Sequence, residues 1–276
     1  MDKVLEVRGL SKVYGTGCEF CFEKTGPEFD SNICPDCGSV VAAHDLNFDL
    51  YKGEILGIMG ESGSGKSTAV KTLYFDQEPT SGHATFFDDG REYSLFDLNA
   101  AQQRQLANQR FGMVYQNPNL GLNFDISAGG NIAERLLMSK VYHYADIRQR
   151  ATDLLSRTEV MIERMDELPK NFSGGMQQRV QIAKALATNP PLLFLDEVTT
   201  GLDLSVQAAI LDLILEIQQR SRTSMIVVTH DLGVIRLLAD RTLVMKYGRV
   251  IESGLTDQIL EDPQHAYTQR LVASAL

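Results

Sequence analysis

Gly60-Glu61-Ser62-Gly63-Ser64-Gly65-Lys66-Ser67-Thr68 decides the fold of this chain. The stretch follows the apolar run Ile55-Leu56-Gly57-Ile58-Met59 and precedes Ala69-Val70-Lys71-Thr72-Leu73, which reads as a helix. Strand, glycine-rich loop and helix in that order make a phosphate-binding loop, G-x-x-x-x-G-K-[ST]. The glycines let backbone N–H groups turn toward phosphate oxygens, and the following helix adds its positive end. In such a loop Lys66 reaches the β- and γ-phosphates and the Ser67 hydroxyl ligates Mg²⁺. A serine- and glycine-rich surface turn is the plain alternative for these nine residues taken alone. The order of the rest of the chain decides between them.

Composition sets the frame. A chain of 276 residues, 43% hydrophobic and 22% charged, holds one large globular domain or two modest ones. A net charge of −10 and a pI near 5.0 argue against a broad nucleic-acid-binding surface. No apolar stretch reaches membrane-spanning length, and Met1-Asp2-Lys3-Val4-Leu5-Glu6-Val7 alternates like a strand rather than a signal peptide. A cytoplasmic protein is expected.

Four cysteines fall in two pairs, Cys18-x-x-Cys21 and Cys34-Pro35-Asp36-Cys37. Two such turns complete a tetrahedral Cys₄ site for structural zinc, with no ligand position left open for catalysis. The intervening residues 22–33 have little apolar periodicity, and a bound metal supplies folding energy that they lack. Iron or redox chemistry competes with zinc, and disulfides compete less well in a reducing compartment. The insert, residues 18–38, begins four residues after Tyr14, an aromatic able to stack on adenine. It either braces a nucleotide pocket or offers a docking knob to a partner.

Downstream, residues 45–50 alternate as a strand, and residues 81–90 suggest a hairpin. The segment from 98 to 187 looks helical, with helices over 100–110, 132–139, 145–157 and 176–187. Strand and helix alternate again from 192 onward. A mainly parallel sheet interrupted by a helical block follows, with no internal repeat. Leu192-Leu193-Phe194-Leu195-Asp196-Glu197 is a buried strand ending in two acids. Asp196 is placed for Mg²⁺, and Glu197 for polarising the water that attacks a γ-phosphate.

Asn171-Phe172-Ser173-Gly174-Gly175-Met176-Gln177-Gln178-Arg179 completes the pattern. Ser173 caps a helix whose glycine-lined start can approach an anion. With the phosphate loop and the acidic strand, this stretch resembles the signature of ATP-binding cassette proteins, and the resemblance covers almost the whole chain. It implies an α/β fold of the P-loop NTPase class: an ABC-type nucleotide-binding domain over 1–276, with a RecA-like core, an antiparallel β subdomain and a helical signature subdomain over 98–187. Further matches carry further roles. Gln116 matches the glutamine that links Mg²⁺ to the helical subdomain, Gly201-Leu202-Asp203 the dimer-interface loop, and His230 the histidine at the γ-phosphate. The resemblance implies one ATP sandwiched between two subunits, with Ser173, Gly174, Gly175 and Met176 acting on the partner's nucleotide. A homodimer or a dimer with a paralogue is then required. The chain departs from the family at Phe172 and Met176 (usually leucine and glutamine), at Val198 (often proline), and at Thr200-Gly201 (usually Ser-Ala).

Outside the nucleotide motifs, Ser127-Ala128-Gly129-Gly130-Asn131-Ile132, His143-Tyr144-Ala145-Asp146-Ile147-Arg148 and Asp231-Leu232-Gly233-Val234 resemble the ATP-binding subunits of the carbon–phosphorus lyase machinery. That resemblance implies a soluble complex for phosphonate degradation, with the lyase core as partner. The tail around Asp262-Pro263-Gln264-His265-Ala266-Tyr267 also resembles oligopeptide and nickel importer ATPases, which would make integral membrane subunits the partners. Those importers commonly continue past the position of Leu276, so the abrupt end is expected to favour the lyase subunit.

Overall fold

Lys3–Tyr14 forms the first strand, β1, in a computed structural model that describes residues 2–274. The insert follows, and then β2 (Val40–Tyr51), β3 (Ile55–Met59), α1 (Lys66–Leu73), β4 (Ser81–Asp88), β5 (Arg91–Ser94) and α2 (Ala100–Arg110). Next come β6 (Phe111–Val114), α3 (Pro118–Gly121), α4 (Ala128–Met138), α5 (Tyr144–Arg157), α6 (Gly174–Ala185) and β7 (Leu192–Asp196). The chain continues through α7 (Leu204–Ser221), β8 (Ser224–Thr229), α8 (Leu232–Leu238), β9 (Arg241–Lys246), β10 (Arg249–Leu255), α9 (Thr256–Glu261) and α10 (Ala266–Ala273). It divides into two compact units, Met1–Asn99 with Ile226–Leu276, and Ala100–Met225.

The first unit carries an antiparallel sheet in the order β2-β1-β4-β5 and the strands β10, β9, β3 and β8 side by side. β3 is buried at every position, as its unbroken apolar run requires, and pairs in parallel with β9. β2 alternates in burial only from Asp45 onward, β1 buries neighbours such as Val4 and Leu5 together, and the pair slips register at several bulges, so each strand is longer than the local alternation announces. The antiparallel pair β9–β10 turns at Tyr247 and Gly248, both at positive φ.

The second unit packs α4, α5 and α6 together. α4 is capped by Ser127, whose hydroxyl accepts from Gly130 N at 3.0 Å, and α7 by Asp203, which accepts from Val206 N at 3.0 Å. One element departs from the sequence reading. Phe111–Val114, inside the stretch expected to be helical, is a strand paired in parallel with β7. All four of its residues are buried, so it shows neither a strand's alternation nor a helix's stripe.

Candidate nucleotide site and cysteine cluster

In the first unit the phosphate loop leaves β3 at Gly60 and enters α1 at Lys66. Gly60 sits at φ +150, and a Cβ there would lie 2.2 Å from the Met245 carbonyl oxygen. Gly65 sits at φ +103, and its Cβ would lie 1.9 Å from Ala42 O. No other residue fits at either position, so the loop's path depends on both glycines. Lys66, 4% exposed, donates to Gly60 O at 2.8 Å and Glu61 O at 2.9 Å, curling its ammonium over the loop. The Ser64 hydroxyl is buried without a protein partner, the kind of donor that a phosphate oxygen satisfies.

Tyr14 ends β1 and is 40% exposed. Its hydroxyl lies 3.4 Å from Thr68 Oγ1 and bonds Gln77, which holds the ring beside α1, and the Lys12 ammonium lies 5.3 Å from the ring centre. His230 is exposed between β8 and the Asp231 cap of α8, where Asp231 accepts from Gly233 N at 2.8 Å. Two supports of the loop were not legible as site residues. Tyr267 of α10 accepts from Glu61 N at 3.1 Å, and Asn32 of the insert donates to Gly63 O at 3.3 Å.

In the second unit β7 delivers Asp196, 1% exposed, to its carboxyl end. Glu197 follows at φ +48, a left-handed conformation that costs a non-glycine residue. Glu197 Oε2 accepts from Gln116 Nε2 at 2.8 Å and from Thr200 Oγ1 at 3.2 Å. The residue before Gln116 is held by the signature helix: Tyr115 N donates to Gln181 Oε1 at 2.6 Å, and Gln181 Nε2 donates to Tyr115 O at 3.1 Å. Within this unit, amide and carboxylate oxygens are hard donors of the kind magnesium takes, so Gln116 and Asp196 each suit that ion chemically, as the Ser67 hydroxyl does in the first unit.

Ser173 caps α6, accepting from Met176 N at 3.4 Å, and both Ser173 and Gly174 are exposed. Arg164 accounts for both departures in this motif. Its guanidinium carbon lies 4.5 Å from the centre of the buried Phe172 ring, and its Nη1 lies 3.3 Å from Met176 Sδ. Glu167 then pairs with the same guanidinium at 2.7 Å. The larger ring and the soft sulfur thus share one cationic lid.

The four cysteine sulfurs lie within 4.8 Å of one another, and none is in a disulfide. Cys18 is 3.6 Å from Cys21 and from Cys34, and Cys21 is 3.4 Å from Cys37. Zinc–sulfur bonds of about 2.3 Å in a tetrahedron put the sulfurs about 3.8 Å apart, so the cluster fits a Cys₄ ion. A disulfide needs about 2.05 Å. The insert packs Cys21, Cys34 and Val41 together with Val13 and Phe22, a core too small to hold it unaided.

Residues 43–200 match the family model for ABC transporters. The chain belongs to that family. It is an ABC-type ATP hydrolase with the cassette fold, and its cysteine insert precedes the matched stretch. The family's substrate is ATP with Mg²⁺. The chain is 50% identical over 232 residues to PhnK of Escherichia coli (strain K12), an ATP-binding protein named for phosphonates utilization. That match covers 84% of this chain and 90% of PhnK. It is 40% identical over 248 residues to the oligopeptide transport ATP-binding protein OppD of Bacillus subtilis (strain 168), covering 86% and 67% of the two chains. The dimeric cassette MJ0796 in a post-hydrolysis state with ADP and Pi superposes with a TM-score of 0.76 at 28% identity, covering 91% and 98%. Among the described residues no helix is long and apolar enough to cross a membrane.

Proposed function

We propose that this cassette is the ATP-hydrolysing subunit of a cytoplasmic carbon–phosphorus lyase complex that degrades phosphonates. The observation that carries this reading is the 50% identity to PhnK over 90% of that protein, against 40% over 67% of OppD. The identity extends well beyond the nucleotide motifs, which ATP chemistry alone would preserve. The similarity to OppD supports the second reading, an importer ATPase with membrane subunits as partners.

The residue roles follow the chemistry of phosphoryl transfer. Tyr14 stacks on adenine, the loop from Gly60 to Thr68 wraps the phosphates, and Lys66 reaches the β- and γ-phosphates. Ser67, Gln116 and Asp196 would hold the magnesium ion, which when bound offsets charge on the phosphate oxygens. Glu197 orients the attacking water and takes its proton as the new oxygen–phosphorus bond forms and the bond to the ADP oxygen breaks. His230 contacts the γ-phosphate. Ser173, Gly174, Gly175 and Met176 act on the nucleotide of a second copy or a paralogue, with Asp203 in the loop between the two. The dimeric MJ0796 neighbour supports pairing. Cys18, Cys21, Cys34 and Cys37 hold structural zinc, which leaves the chain no cysteines for radical cleavage of the C–P bond. ATP-driven closure of the pair therefore remodels a partner enzyme, and the surface from Gln116 to Arg135 is the face proposed to meet it.

A tagged pull-down from phosphonate-grown cells, made without detergent and analysed by mass spectrometry, tests the assignment. Recovery of the chain in a soluble assembly with the lyase core supports it. Recovery only from membranes with integral membrane subunits replaces it with the importer reading.

A further inference from the structure

The insert is tied to the first unit at several points, and one of them is the phosphate loop. Arg249 Nη2 donates to Phe22 O at 2.7 Å and to Thr25 O at 3.2 Å, and Lys246 pairs with Asp30 at 2.8 Å. These contacts anchor the body of the insert. Asn32 goes further, donating its side-chain amide to Gly63 O at 3.3 Å.

Of the three glycines in the loop, Gly63 is the one whose surroundings leave open space. It sits at φ +80, and a Cβ placed on it would meet nothing within 4 Å. A peptide next to such a glycine is free to rotate unless something holds it. Because the peptide is planar and trans, its carbonyl and its N–H point in opposite directions. Holding Gly63 O outward on Asn32 keeps the Ser64 N–H turned into the loop, where it donates to Glu61 O at 3.2 Å. Asn32 and Glu61 thus hold the Gly63–Ser64 peptide from its two sides, and the path of that peptide sets where the rest of the loop presents its N–H groups to phosphate.

The position of Asn32 depends in turn on the cysteine cluster. Cys34 lies two residues on, and its N–H donates to Ser39 O at 2.8 Å. Ile33 bridges Val40, and Val41 N donates to Asn32 O at 2.8 Å. Cys34 Sγ sits 3.6 Å from Cys18 Sγ, so an ion shared by the four thiolates would tie this short hairpin to Cys18. Release of that ion frees Cys34, and with it the backbone that aims Asn32.

We propose that Asn32 is a positioning residue for nucleotide binding, acting through Gly63, and that metal in the Cys18–Cys21–Cys34–Cys37 cluster determines whether it holds the loop. The insert is then a metal-dependent brace on ATP affinity. This inference rests on reading residues 60–68 as the ATP site.

The test uses the full chain with its metal, and the variants Asn32→Ala and Asn32→Asp, the second matching asparagine in size but lacking the donor. Calorimetric ATP binding and steady-state kinetics are measured beside the melting temperature and the zinc content. Asn32→Ala should bind ATP about fivefold more weakly, the worth of one ordinary hydrogen bond, and Asn32→Asp more weakly still, because its carboxylate would repel both the Gly63 carbonyl oxygen and the phosphates. KM should rise with kcat within about twofold, and stability and zinc content should stay at the parent values. Chelation should weaken binding by the parent, and by a smaller factor in Asn32→Ala, where the bond is already gone. Parent-like ATP affinity in Asn32→Asp overturns the proposal, as does chelation that weakens parent and Asn32→Ala equally. Lys66→Ala separates the two readings: if it binds ATP like the parent, the assignment of the loop has failed and not merely its brace.

Discussion

Gln116 donates its side-chain amide to the Glu197 carboxylate at 2.8 Å, joining the proposed magnesium-facing glutamine to the proposed water-polarising acid. The bond leaves the Gln116 carboxamide oxygen as the donor for a cation. It also orients a carboxylate that stands on a left-handed backbone.

Glu197→Gln should therefore keep ATP binding and lose turnover. A positioned general base contributes about 10² to 10⁴ in rate, so phosphate release should fall by at least that lower factor. Slow turnover should also let an ATP-bound pair accumulate, read by light scattering after gel filtration. Turnover at the parent rate would remove Glu197 from its role. Gln116→Ala should lower kcat as well, since the carboxylate loses the donor that orients it.

Gln181 offers a second test, because it satisfies both backbone groups of Tyr115 from a position 1% exposed to solvent. Replacing it with leucine keeps approximate size but removes a donor and an acceptor from a dry site. The expected cost is about 1–3 kcal/mol in urea denaturation, from desolvated groups that lose a partner. A leucine variant as stable as the parent would show that Tyr115 is held by other means. Activity should fall more than the stability loss accounts for, since Tyr115 precedes Gln116.

The cysteine cluster makes a separate prediction. Elemental analysis should find one zinc per chain, and replacing Cys34 and Cys37 with serine should release it. Loss of a closed metal site costs folding energy outright, so the melting temperature should drop by roughly 5 °C or more. Metal-free parent protein with the same melting temperature as the serine variant would discard the structural-zinc reading. The sulfur separations of 3.4–3.6 Å are the geometric ground for expecting otherwise.

The parts of this site that the sequence displayed are the ones built from adjacent residues. The phosphate loop, the paired C-x-x-C turns and the Ser173 cap each fit within a few positions, and local backbone rules suffice to read them. The supports are long-range: Asn32 lies 31 residues from Gly63, Gln181 lies 66 from Tyr115, and Tyr267 lies 206 from Glu61. Each is an ordinary polar side chain whose partner is a backbone atom, and backbone atoms leave no mark in the sequence. β6 was hidden for another reason. Four buried residues among helices have no period to read. Arg164 likewise became meaningful only once Phe172 and Met176 were seen beneath it.

Asp203 gives the pH dependence. Its carboxylate accepts from the Ser205 hydroxyl at 2.6 Å and from Val206 N at 3.0 Å, capping the eighteen-residue helix α7. The Ser205 bond first, and the Val206 N–H next, hold its carboxyl below the ordinary value of 3.8. The folded state therefore binds its proton less readily than the unfolded chain does. The stabilisation is fully present above the unfolded value and is lost as pH falls through the lower folded one. Asp203→Asn keeps an acceptor for the cap but cannot titrate. At pH 7 the parent should be the more stable of the two by urea denaturation, because a charged acceptor also favours the positive end of a helix. That gap should hold down to about pH 5 and narrow below the ordinary carboxylate value, closing once Asp203 is protonated in both states. A gap that stays constant down to pH 3 would mean that charge at this cap contributes nothing, and that the helix start is held by hydrogen-bond geometry alone.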